Sequence, residues 1–195
     1  EGRERVTICL QGEPWRTVSK AIFGTAPALP RQCASVEELE AALAEAEYRG
    51  AKAYALRCLA ARAMLTADLL AQLREEGVPD AVAEHVADEC QRYGYLDDAA
   101  WTEGAIRTQI ARKNGSRKIA DTLRRKGLDP EVVAAVVERH CTQDQQIEGV
   151  RRLLQTRYRG RDLSDYKEKQ KVIAALFRKG FPLDVIHQAL QHGPE

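Results

Sequence analysis

Val6, Ile8 and Leu10 alternate with Thr7 and Cys9, the period of two expected of a half-buried strand. Gln11-Gly12-Glu13 reads as a turn and Trp15 to Val18 as the returning strand, which predicts a β-hairpin. A lone hairpin is marginal in water, so it should pack on helical structure. Gly24 to Cys33, with Pro27 and Pro30, reads as a linker. From Ser35 the pattern turns helical. Ser35-Val36-Glu37-Glu38 has the form of a capping box, and Leu39 and Leu43 share one helix face. That helix is expected to stop near Gly50.

The rest of the chain repeats itself. "LREEGVPDAVAEHV" (73–86), "LRRKGLDPEVVAAV" (123–136) and "LFRKGFPLDVIHQA" (176–189) share one plan. Leu73, Leu123 and Leu176 each lie four residues before a glycine: Gly77, Gly127 and Gly180. Val78, Leu128 and Phe181 follow the glycines directly, and Val82, Val132 and Val185 lie five beyond them. Each glycine can take the left-handed conformation that closes a helix. Pro79, Pro130 and Pro182 then mark the start of the next helix, with Asp129 as a cap in the middle copy. A further helix precedes each corner, over Tyr54–Met64, Asp98–Lys113 and Ile147–Arg157. Asn114-Gly115-Ser116 separates two helices of the middle copy, with Ser116 as the expected cap. In the third copy "RYRGRDLSDYKEKQK" (157–171) lengthens the corresponding link. The expected fold is mainly α. Three tandem three-helix repeats form an extended curved array behind a small hairpin-and-helix segment. The divisions fall at 1–50, 51–95, 96–142 and 143–195.

The paired i, i+4 residues Ile106 with Ile110, Ile119 with Leu123, and Val132 with Val136 read as core, as does Trp101; Trp15 reads as core or as an exposed contact. "YGYLDDAAW" (93–101) sets two aspartates before the first helix of the middle repeat. Such a pair can hold a metal ion or act as acid and base. It can also start a helix: Asp97 as the cap, Asp98 against the positive end of the dipole, and Leu96 with Trp101 as a hydrophobic staple. The second reading accounts for four residues at once. No partner histidine, metal ligand or phosphate loop lies nearby to favour the first.

"YGYLDDAAWTEGAIRTQIARKNGSRKIADTLRRKGLDPEVV" resembles the central repeat of the RecX family of bacterial recombination regulators. The resemblance rests on the G-Y-L-D-D turn, Trp101, the arginine-bearing helix, Gly115 with Lys118 and Ile119, and Leu123 with Lys126 and Gly127. "RVTICLQGEPWRTVS" resembles the extra hairpin of the longer members. The resemblance implies a helical regulator without enzymatic activity. It implies binding to the RecA recombinase as a filament on DNA, which curbs strand exchange and coprotease activity, and contact with DNA itself. The first repeat departs from the family's pattern: where a basic segment is usual, "ARAMLTADLL" carries only Arg62.

Charge sharpens this picture. Residues 1–100 hold 11 basic and 17 acidic side chains, whereas residues 101–180 hold 19 basic and 10 acidic. Such asymmetry points to a cationic surface in the second half, suited to phosphate or an acidic protein face. The middle repeat contributes Arg107, Arg112, Lys113, Arg117, Lys118, Arg124, Arg125 and Lys126, with Asp121 the single acid among them. The third contributes Arg151, Arg152, Arg157, Arg159, Arg161, Lys167, Lys169 and Lys171. A solvated helix face normally mixes its signs. Few aromatics interleave, Tyr158 and Tyr166 being the nearest, which argues against a platform for stacking unpaired bases. These sixteen cations are the candidate contacts to the RecA filament on DNA, or to DNA alone and without sequence preference. No helix shows the Asn, Gln and Arg combination that reads bases.

Five cysteines, odd in number and without C-x-x-C, predict no disulfide framework. The four histidines, His85, His140, His187 and His192, form no metal-spaced pair. No metal, cofactor or membrane span is expected, and the reading is of a cytoplasmic monomer.

Overall fold

The computed structural model describes residues 4–25 and 28–191; Pro27 of the expected linker, and His192, lie outside these residues. Among the described residues there are ten helices and one two-stranded sheet. The chain divides into two compact units, Glu1–Trp101 and Thr102–Glu195. Among the described residues no helix is long and apolar enough to cross a membrane.

The hairpin forms as the alternation predicts. Strand β1 (Arg5–Leu10) pairs antiparallel with β2 (Glu13–Ser19), with Val6, Ile8 and Leu10 half-buried and their neighbours exposed. Gln11 and Gly12 both take positive φ, 55° and 90°, as the central pair of a type I′ hairpin turn must. The register shifts after Ile8, leaving Trp15 as the extra, bulged residue. A short helix α1 (Lys20–Phe23) follows, and Ile22 is buried in the core of this unit.

Helix α2 (Val36–Ala61) begins where the capping box places it. Ser35 Oγ accepts from the Glu38 N–H at 3.2 Å, and Glu38 accepts from the Ala34 N–H at 2.7 Å. It does not stop near Gly50. It runs unbroken to Ala61 and so also supplies the first helix of the first repeat, which was expected as a separate element over Tyr54–Met64. Gly50 has another job. A Cβ there would lie 2.1 Å from the carbonyl oxygen of Ile22. The glycine lets the end of α1 rest on the middle of α2. Leu39 and Leu43 are buried as expected.

The repeats then show one internal plan. Helices α3 (Thr66–Glu75) and α4 (Asp80–Arg92) complete the first; α5 (Asp98–Ala111), α6 (Ser116–Arg125) and α7 (Pro130–His140) form the second; α8 (Gln143–Thr156), α9 (Tyr166–Arg178) and α10 (Leu183–Gln191) form the third. The corner glycines Gly77, Gly127 and Gly180 have φ of 84°, 83° and 93°. Each corner carries the two backbone bonds of a Schellman motif: Val78 N–H to Leu73 O, Leu128 N–H to Leu123 O and Phe181 N–H to Leu176 O, with each glycine N–H bonded one residue on. Leu73, Leu123 and Leu176 are fully buried. So are Ala83, Val133 and Ile186, six residues beyond each glycine. The valine at the fifth position is not the shared core site: Val132 is 47% exposed. Ile110, also expected in the core, is 44% exposed, and Trp101 is only half-buried. The link in the third copy is shorter than the sequence suggested. Helix α9 starts at Tyr166, capped by Asp165, so Lys167, Lys169 and Lys171 are helical. Tyr158 and Leu163 of the remaining link pack on the core of this repeat.

Candidate functional site

The two aspartates divide their labour. Asp97 Oδ1 accepts from the Ala100 N–H at 2.8 Å, the expected cap of α5. Asp98 does more than face its own helix dipole. Its Oδ1 accepts from the Thr66 N–H at 2.8 Å and from Thr66 Oγ1 at 3.1 Å, capping α3, whose own N-cap residue Leu65 has no side-chain oxygen. The middle repeat uses the same device. Ser116 is not a cap: α6 begins at Ser116 after Gly115, and the Ser116 N–H is taken by Gln146 Oε1 of α8 at 3.1 Å. In both cases the second helix of one repeat is capped by the first helix of the next. His140 Nε2 faces Glu103 Oε2 at 2.8 Å, with Arg139 3.7 Å from the same carboxylate.

The cations separate into two kinds. One kind lies away from the meeting of repeats two and three, and several of its members have a local structural reason. Arg124 and Arg125 end α6 and Lys126 is its C-cap residue, where the dipole favours positive charge. Arg124 reaches Asp121 at 3.5 Å, and Arg125 Nε donates to the Asp121 carbonyl. Arg152 pairs with Glu148 at 2.8 Å. Arg161 and Lys171 share Glu168, at 2.8 and 2.7 Å, and these bonds hold the Glu168 carboxyl below its ordinary pKa. Arg107 on α5, Arg159 in the link, and Lys167 and Lys169 on α9 are exposed, while Arg151 is partly covered and its Nε is buried without a partner.

The other kind gathers where repeats two and three meet. Gly115 and the corner glycine Gly180 are in backbone contact. The Gly115 N–H donates to Lys179 O at 2.9 Å, and the Arg117 N–H to Gly180 O at 3.1 Å. A Cβ on Gly115 would fall 2.4 Å from the Gly180 carbonyl carbon, and one on Gly180 would fall 2.4 Å from Lys118 Cβ. Lys179 Nζ donates to Arg112 O and Lys113 O at 3.1 and 3.0 Å, closing the end of α5. Lys179 was not foreseen. It holds its proton less firmly than an ordinary lysine, first through burial, then through the charges of Lys118, Arg157 and Lys113. Arg117 stacks on Phe177, its guanidinium carbon 4.3 Å from the ring centre.

Local energetics divide the charges at this junction: Arg157 and Lys179 are the C-cap residues of α8 and α9, where the dipole favours positive charge, whereas Arg117 and Lys118 are placed at the opposite kind of helix end. Arg117 and Lys118 sit in the first turn of α6, at the positive end of its dipole, and no acidic residue shares that turn. Lys113 has φ of 56°, a left-handed conformation that glycine adopts after α3, α4, α6 and α9. Arg117 and Lys118 thus carry like charge that their own helix dipole opposes.

Fold and surface together define a tandem three-helix-repeat protein with a cationic junction between its last two repeats. The RecX second three-helix domain matches residues 97–137, and the RecX third three-helix domain matches residues 143–190. The regulatory protein RecX of Legionella pneumophila is 31% identical over 137 residues, covering 70% of this chain and 90% of that protein. That of Mycobacterium leprae is 35% identical over 136 residues, covering 67% and 78%. A crystal structure of regulatory protein RecX superposes with a TM-score of 0.69 at 22% identity, over 96% of this chain and 93% of that one. The chain belongs to the RecX family of regulatory proteins.

Proposed function

We propose that this protein binds the RecA filament on DNA and restrains its strand exchange and coprotease activities. The observation that carries the reading is the junction at Gly115 and Gly180, where Lys113, Lys118, Arg157 and Lys179 gather with no acidic partner of their own among the described residues. A filament on DNA presents acidic protein surface and phosphate together, and charge of this kind steers docking and fixes its register. The remaining exposed cations of repeats two and three extend the contact. The protein acts in the cytoplasm as a monomer and needs neither metal nor cofactor.

Co-sedimentation tests this. The chain is mixed with RecA filaments on single-stranded DNA, with RecA alone and with bare DNA. Preferential recovery with the filament, together with slowed strand exchange and slowed RecA-stimulated cleavage, is the expected result. Equal recovery with bare DNA and no effect on RecA would replace the reading with nonspecific DNA binding.

A further inference from the structure

A cleft of about 450 Å³ opens in the Thr102–Glu195 unit beside the end of α5, the first half of α8 and the corner before α10. Ile110, Ala111, Cys141, Gly149 and Phe181 give it a largely apolar lining, and Lys113 and Arg152 also border it.

Two features keep this cleft open at a cost to the folded chain. Ile110 lies one helical turn beyond the fully buried Ile106, yet it is 44% exposed. Gly149 occupies the interior of α8, where glycine is less favourable than alanine. No close approach requires it: a Cβ at this position would meet Phe181 Cε1 at 3.5 Å and Cζ at 3.7 Å, ordinary contact distances. A side chain at 149 would remove space from the cleft.

Size and charge identify what fits. A void of about 150 Å³ admits a benzene ring; this cleft therefore has room for large apolar side chains. Glu148 is the one carboxylate among the lining residues, and Arg152 neutralises it at 2.8 Å. Lys113 joins the cleft to the cationic junction. We infer that the cleft receives large apolar side chains from an acidic protein segment, whose carboxylates meet Lys113 and the neighbouring cations. This rests on the proposed docking to an acidic protein face and states what that face inserts.

The test uses the full chain and a short fluorescein-labelled peptide of glutamate and aspartate with leucine at every third or fourth position. A control peptide has alanine for each leucine. The wild type is expected to bind the leucine peptide about tenfold or more tightly than the control. Gly149→Leu, which fills the cleft, and Ile110→Gln, which removes an exposed apolar wall, should both abolish that preference. Gly149→Ala should melt at higher temperature than wild type and still bind the leucine peptide more weakly. Equal binding of the two peptides by the wild type overturns the inference, as does an undiminished leucine preference in folded Ile110→Gln and Gly149→Leu. The acidic-face reading is tested separately by Lys118→Glu with Arg157→Glu. Loss of binding there, with both peptides bound equally by the wild type, keeps that reading and removes the cleft. A leucine preference that survives the charge reversal keeps the cleft and removes the acidic face.

Discussion

Gly115 and Gly180 meet with no room for a side chain on either: a Cβ on Gly115 would lie 2.4 Å from the Gly180 carbonyl carbon. Gly127 occupies the same corner position one repeat earlier, with φ of 83° but nothing within 4 Å of its Cβ position. The three glycines therefore fail differently. Gly127→Ala pays only for its backbone conformation and should destabilise by about 1 kcal/mol, with Gly127→Asn milder and Gly127→Val worse. Gly115→Ala must push backbone apart and should cost about 1–3 kcal/mol. Gly180→Ala suffers both penalties and should be the most damaging. Urea unfolding midpoints at unchanged m-value measure the order. A Gly180→Ala protein as stable as Gly127→Ala would deny the close contact.

Asp97 and Asp98 should behave as two caps on two helices. Asp97→Ala and Asp98→Ala are each expected to destabilise by about 0.5–2 kcal/mol, with the asparagine variants milder because an acceptor oxygen remains. Chelator should leave the melting temperature unchanged. In a double-mutant cycle Asp98 should couple to Thr66, whereas Asp97 should not. Coupling of both to Thr66, or a melting temperature lowered by chelator, would contradict the assignment.

The residues that misled the sequence reading show where local pattern ends. The hairpin, the capping box at Ser35 and the glycine corners were legible because their chemistry lies within a few residues. Gly50 was read as a helix stop because its partner, the carbonyl of Ile22, comes from a distant turn. Thr66 and Ser116 start helices without side-chain caps of their own, and nothing near them in sequence announces Asp98 or Gln146. Val132 matched the repeat, but α7 turns Val133 into the core and leaves Val132 exposed. The basic composition of repeats two and three was visible in advance. Which cations converge was not, since that depends on two glycines 65 positions apart.

Glu89 ties α2 to α4 by accepting from Tyr48 Oη and pairing with Lys52 at 3.1 Å. These partners, Tyr48 first, hold its carboxyl below the ordinary range. A depressed folded-state pKa contributes stability that is complete above the unfolded value, about 4.3. It is lost as pH falls through the folded value. Wild type should therefore melt above Glu89→Gln by a constant margin near neutrality, and the margin should shrink in acid. A margin that widens on acidification would contradict the pairing.

Lys113 offers a test in which stability and function part company. Its φ of 56° suits glycine better than lysine. Lys113→Gly should stabilise the fold by about 0.5–1 kcal/mol while weakening binding to the RecA filament. Thermal melting and filament co-sedimentation read the two effects. A variant that is both less stable and an equal binder would remove Lys113 from the surface.

The central claim is that the cations gathered at the Gly115–Gly180 junction, rather than those ending α6, engage the filament. Two charge-reversed proteins decide it: Lys113→Glu, Lys118→Glu, Arg157→Glu at the junction, and Arg124→Glu, Arg125→Glu, Lys126→Glu at the helix end. Both should retain helicity and cooperative melting, since all six side chains are exposed. Inhibition of RecA strand exchange is titrated with each across a range of salt. Where phosphate is contacted, log affinity should fall with log salt by about 0.7 per phosphate on single strands, and less steeply in the junction mutant. The account predicts that the junction mutant loses inhibition while the helix-end mutant keeps most of it. A folded junction mutant that inhibits strand exchange as strongly as the wild type would contradict it.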